Sequence, residues 1–360
     1  MPRPRILLAV LFYTLVFSSC QLLQKSSDPT AGKEATPAEK PTVDIEVEDD
    51  IVVTPSKPYN PAETRRWDLI HTALRLEPIW KEEAMKGMAG LRLTPHFYPQ
   101  DSLRLDAQYM DLHGIHRLAQ GDTVAWKRYR YDSTHLTLYF DRALARGDTL
   151  QLLIDYTARP GRVSGGGGAA ISDDRGLYFI DADSSDPRKP TQIWTQGQPE
   201  ANSVWFPTID APNQKTTQEV RLTVDRRLQT LSNGELVYSV INDDGSRTDY
   251  WRMNQPHAPY LFMVAIGGFA VVEDRWRGKP LYYYVDSAYE EHARTVFGET
   301  PRMLDYFSNI TGLEYPWPKY AQIVVEDFVS GAMENTTASV FYDALHQDAR
   351  ENRDNPQDGI

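Results

Sequence analysis

The chain has 360 residues, a net charge of −12 and one cysteine, Cys20. A single thiol forms no internal disulfide and excludes multi-cysteine metal sites, so buried apolar surface has to hold the fold, and the length is ample for that. No basic cluster with interleaved aromatics is present, which argues against nucleic acid as a partner.

Arg3 and Arg5 precede an apolar run over residues 6–17 that only Thr14 interrupts, and Ser18, Ser19 and Cys20 follow. A helix of that length rises about 18 Å, short of a hydrocarbon core of ~30 Å. A charged start, a short apolar stretch and small residues before a cut site make a signal peptide over residues 1–20. The cysteine in that position resembles the bacterial lipoprotein signal, which implies lipidation of Cys20 and a membrane anchor in the cell envelope. Gln21 is not the Asp that retains some lipoproteins at the inner membrane, so the outer membrane is preferred. Residues 21–58 are rich in Ser, Thr, Pro, Lys, Asp and Glu and read as a disordered tether.

From Trp67 the pattern becomes that of strands. Residues 68–77 alternate in part; residues 90–94 and 136–140 alternate cleanly, and 150–156, 220–224 and 260–266 continue the series. Turn signals at Arg146-Gly147-Asp148, Ser232-Asn233-Gly234 and Asn242 to Ser246 separate them. The spacing predicts a mainly β domain over residues 59–272, either a sandwich or an open, twisted, saddle-like sheet. Gly165 to Gly168 lacks the spacing of a phosphate cradle and reads as a mobile loop.

After residue 272 the pattern turns to mixed α/β. Residues 286–312 read as helix, with Tyr289, His292, Val296, Met303, Leu304 and Phe307 near one face and a break or kink at Pro301. Residues 321–328 read as a buried strand. Residues 273–360 are therefore expected to begin a second, α/β domain.

The segment with most chemical content is Gly331-Ala332-Met333-Glu334-Asn335, closely following that buried strand. A small-residue turn there leaves backbone groups free to pair with an extended peptide. A carboxylate within it can meet a free α-ammonium, which an internal peptide lacks.

These five residues resemble the exopeptidase motif of the aminopeptidase N family of zinc metallopeptidases. Trp194-Thr195-Gln196-Gly197-Gln198-Pro199-Glu200, the Phe206-Pro207 element through Asp210 and Pro212, Leu231 to Gly234, Pro256 to Leu261 and Tyr315 to Tyr320 resemble further family landmarks, in the family's order. The resemblance runs from Trp67 to the end of the chain. It implies a β domain followed by the start of a thermolysin-like catalytic domain, and peptides with free N-termini as substrates. By the same resemblance, Glu334 and Gln198 hold the substrate amine, Gly331 and Ala332 line the bound peptide, and Met333 stands beside the first side-chain pocket or in the core. Asn335 holds the turn and Asp210 fixes a loop. Ala211 departs from the usual Glu of the family.

The family binds zinc with His-Glu-x-x-His and a further Glu. None of the eight histidines stands in that arrangement: His113 and His116 lie in a loop-like stretch without a Glu between them, and His292 has no partner four residues on. The intact enzyme is expected to use zinc, and this chain alone to bind none and to be inactive, as an N-terminal portion that stops before the metal motif. The alternative is a non-catalytic, lipid-anchored protein that binds peptide ends or a partner on the same fold.

Overall fold

In the computed structural model the partial alternation at 68–77 becomes one strand, Trp67–Ile79, in which the buried face changes phase. Trp67 and Leu69 point inward, the register slips between Leu69 and His71, and then Thr72, Leu74 and Leu76 point inward. A bulge moves every later side chain to the other parity, which is why the sequence shows only broken alternation there. The structure describes residues 63–354 except 120, 165 and 167–170. The signal peptide, Cys20, the tether, most of the Gly165 to Gly168 loop and the last six residues lie outside the described residues.

The largest sheet has eight strands in the order Glu235–Ile241, Ser246–His257, Thr216–Asp225, Trp67–Ile79, Ala84–Pro95, Leu150–Ala158, Asp111–Ala119 and Asp122–Ala125. Its neighbours run antiparallel except Trp67–Ile79 against Thr216–Asp225, where His71 to Leu76 pair in parallel with Thr217 to Leu222. Smaller sheets of three strands, carrying His135–Leu144, and of four strands, carrying Gln192–Thr195, complete the open β region. One hydrophobic cluster runs through all of them and on to Ile323, Val325 and Val340 of the sheet that follows. Gly87 makes one long reach possible. A β-carbon there would lie 2.2 Å from the Tyr156 ring, and in its absence the Tyr156 hydroxyl donates to the Trp205 carbonyl at 2.9 Å.

The third expectation, a change of architecture, is realised as a five-stranded mixed sheet in the order Phe269–Trp276, Lys279–Asp286, Tyr320–Val325, Ala338–Tyr342 and Ala332–Met333. Residue 272 falls inside its first strand. The pairings of Lys279–Asp286 with Tyr320–Val325, and of the latter with Ala338–Tyr342, are parallel. Parallel neighbours need a crossover, and helices Ala293–Phe297 and Thr300–Thr311 supply the first.

Three expectations need correction. Residues 260–266 are not one strand: Pro259–Leu261 is a 3-10 turn with Pro259 at its start, and only Val264–Gly267 pairs. The helical stretch breaks at Gly298 and Glu299, while Pro301 sits in the first turn of Thr300–Thr311, where its missing N–H is harmless. Most informative is the face of that helix. Of the residues expected on its packed face, Met303 and Phe307 are 54% and 57% exposed, while Leu304 packs inward. Polar anchors set the rotation: Thr300 Oγ1 donates to Gln322 Oε1 at 2.6 Å, and Asp305 accepts from Trp276 Nε1 at 2.9 Å.

Candidate peptide-binding site

Strand Gln192–Thr195 is buried along its whole length and reaches two places at once. Trp194 stacks on Tyr178 at 4.1 Å and meets Phe328 edge-on at 5.2 Å. Its indole N–H donates to the Glu326 carbonyl at 3.0 Å, and Gln192 Oε1 accepts from the Glu326 backbone at 3.1 Å. Lys189 pairs with Asp327. The strand that leads to Gln196 and Gln198 is thereby fixed to the loop that leads to Gly331.

The motif itself is the edge of the five-stranded sheet, where a turn after a strand was expected. Ala332 and Met333 pair antiparallel with Phe341 and Val340, and Tyr342 N donates to the Gly331 carbonyl at 3.2 Å. No further strand of the described residues flanks Ala332–Met333. Gly331, Ala332 and Glu334 are exposed, whereas Met333 is 1% exposed and belongs to the core. Glu334 thus opens the loop of a hairpin, its carboxylate outside and both its neighbours buried. The Asn335 carbonyl accepts from Ala338 N at 3.0 Å and closes the turn by backbone; its buried side-chain amide has no hydrogen-bond partner among the described residues on either atom.

Gln198 is exposed and lies in a turn, two residues beyond Gln196, which is buried with both amide atoms unpartnered among the described residues. Gly197 between them threads a gap. A β-carbon there would stand 2.4 Å from the Tyr260 carbonyl oxygen and from the Asn202 amide nitrogen, so only glycine fits. Asn202 uses its whole amide: Nδ2 donates to the Pro259 and Phe262 carbonyls at 2.6 and 3.0 Å, and Oδ1 accepts from Trp205 Nε1 at 2.6 Å. Asp210 accepts from Ser203 N at 2.8 Å, its own N–H bonds Asp106, and burial pushes its carboxyl up to about 7.

Two residues that the sequence did not single out tie the motif down. Asn233, in the Ser232-Asn233-Gly234 turn, donates to the Leu261 and Thr336 carbonyls at 2.8 and 2.7 Å and accepts from Met263 N at 2.8 Å. Lys319 donates to Thr337. Asn233 stands in a segment noted as a turn signal and a landmark, and Lys319 in one noted as a landmark; an Asn before Gly in a turn and a Lys among aromatics were the available signals. Three of the histidines have side-chain hydrogen bonds to other strands or loops: His113 with Thr157 Oγ1 at 2.8 Å, His257 with Gln218 at 3.0 Å, and His346 with the Asp286 N–H at 3.1 Å. His113 and His116 lie in strand Asp111–Ala119, not in a loop.

Known families match this arrangement in both parts of the chain. Residues 59–261 match the Peptidase M1 N-terminal domain, and residues 296–357 match the Peptidase family M1 domain. The chain belongs to peptidase family M1. Among the curated M1 relatives, glutamyl aminopeptidase of Mus musculus is 34% identical over 131 residues, 36% of this chain and 14% of that protein. Aminopeptidase 2, mitochondrial, of Saccharomyces cerevisiae is 28% identical over 39% of this chain and 15% of its own length. Aminopeptidase 2 of Candida albicans is 22% identical over 273 residues, 74% of this chain and 27% of its own. The chain therefore spans only a minor part of the length of these M1 relatives. The family implies zinc in the intact enzyme. The described residues do not fit that ion, because no three His, Cys, Asp or Glu side chains among them are grouped so that they could hold a metal. No step of metal chemistry is assigned to them.

Proposed function

We propose that this chain carries the amino-terminal recognition half of a zinc aminopeptidase. Glu334 and Gln198 receive the α-ammonium of a peptide whose backbone adds to the free edge at Ala332 and Met333. What supports this most is Glu334, an exposed carboxylate held between buried neighbours at an open sheet edge. An edge offers main-chain donors and acceptors to any extended peptide, and the carboxylate adds a charge-assisted bond that only a free amino terminus can complete. The metal ligands and general base would come from sequence outside these 360 residues. A His-Glu-x-x-His codon run downstream of codon 360 supports this, and unrelated sequence after a stop favours the binding-module alternative.

Calorimetry on the 360-residue chain checks the recognition half. A tripeptide with a free N-terminus is expected to bind more tightly than its N-acetyl form, and equal affinity overturns the reading.

The same proposal places the protein in the bacterial envelope through a lipid on Cys20. Supporting it are Arg3, Arg5, the apolar run and Ser18-Ser19-Cys20. The wild type should sediment with membranes and Cys20→Ala should not; a soluble wild type with an unmodified start beyond Cys20 contradicts it.

A further inference from the structure

Lys319 is 2% exposed, and no carboxylate of the described residues forms an ion pair with it. Burying an ammonium without a counter-charge is costly, and burial alone pushes this amine down to about 7. Its surroundings are the Trp251 ring, 5.5 Å from Nζ, and one residue that takes both of its hydrogen bonds. Nζ donates to the Thr337 carbonyl at 2.9 Å and to Thr337 Oγ1 at 3.2 Å.

Thr337 has φ +68°, left-handed backbone that a β-branched residue disfavours. Four hydrogen bonds hold it there: the two from Lys319, one from Gly234 N to Oγ1 at 2.8 Å, and one from Ala321 N to its carbonyl at 2.9 Å. Thr337 lies in the hairpin loop that Glu334 opens. Met333 pairs with Val340 at the base of that loop, so the path from residue 334 to residue 339 has to turn at Thr337.

We propose that Lys319 is a positioning residue for Glu334: by clamping Thr337 in a left-handed turn it fixes the hairpin loop that aims the amine-binding carboxylate. This rests on the reading of Glu334 as the ammonium ligand, and it adds a residue with no contact to substrate.

Lys319→Met separates positioning from packing. Methionine fills much the same volume without the desolvation penalty, and the Thr337 carbonyl and hydroxyl keep Ala321 N and Gly234 N as partners. Global stability in urea should hold or rise. The preference of the 360-residue chain for a free over an N-acetylated tripeptide should fall roughly tenfold, as for a misplaced binding group. Deuterium uptake over residues 334–338 should rise with no matching change elsewhere. Thr337→Gly accepts φ +68° without strain, so in that background Lys319→Met should change both readouts much less.

Unchanged preference and unchanged exchange in Lys319→Met overturn the proposal, and so does an equal loss in both backgrounds. The reference is Glu334→Gln. If that variant keeps the wild-type preference, or the wild type has none, the amine reading has failed on its own, and the exchange data still decide whether Lys319 clamps the loop. If Glu334→Gln abolishes the preference and Lys319→Met does not, only the Lys319 proposal has failed.

Discussion

Glu334→Gln in the intact protein is expected to lower kcat/KM for aminoacyl anilides by roughly ten- to a hundredfold, at unchanged zinc content. The substitution keeps the shape of the side chain and removes its charge. A hydrogen bond to a charged group contributes about 1.5–3 kcal/mol, and each ~1.4 kcal/mol is one decade of rate. Glu334 is exposed in the free chain, where water screens its field. The upper end of the range therefore requires that the bound peptide cover the carboxylate. Gln198→Ala should lose less, because a neutral amide offers the ammonium a weaker bond. Steady-state kinetics beside metal analysis check both. An unchanged Glu334→Gln enzyme, or one without its zinc, would mean that the residue has another role.

Asn233→Ala should be the most destabilising of the site substitutions. The amide serves three backbone groups, the carbonyls of Leu261 and Thr336 and the N–H of Met263. A buried group left without a partner costs about 1–3 kcal/mol, so a total near or above ~3 kcal/mol is expected, with a fall in Tm on the order of 5–10 °C. Asn242→Ala is the contrast. Its amide bonds only the hydroxyls of Ser246 and Thr248 in a hairpin turn, which water can replace, and the loss should stay within about 1 kcal/mol. Urea denaturation of the two variants decides it; equal losses would show that Asn233 is not a tie between the β region and the motif.

The residues on which the fold was legible are those with short-range periodicity. Residues 150–156 alternate, and Leu150, Leu152, Ile154 and Tyr156 are the buried ones among them. The Arg146-Gly147-Asp148 turn closes as its composition requires, with Gly147 at φ +98° and Asp148 N bonded to Ala145 O at 3.0 Å. Long-range facts were not legible. Nothing local marks His71 to Leu76 as parallel partners of Thr217 to Leu222, and the bulge before His71 disguised the strand that makes them.

Helix Thr300–Thr311 shows why an apolar stripe is an incomplete guide. It carries apolar residues on more than one side, and the hydrogen bonds of Thr300 and Asp305, invisible to periodicity, chose which side packs. The site divides in the same way. The Glu334 proposal starts from chemistry local to five residues, and so could be made from the sequence. The roles of Lys319 and Asn233 could not, because their partners in the loop lie 18 and 103 positions away in sequence, respectively.

The measurement closest to the central claim is a structure of the protein with a bound tripeptide. The ammonium should lie within ~3 Å of the Glu334 carboxylate, with the peptide backbone hydrogen-bonded to the free edge at Ala332. A peptide seated away from Ala332–Met333, or one whose ammonium faces another acid, would contradict the account.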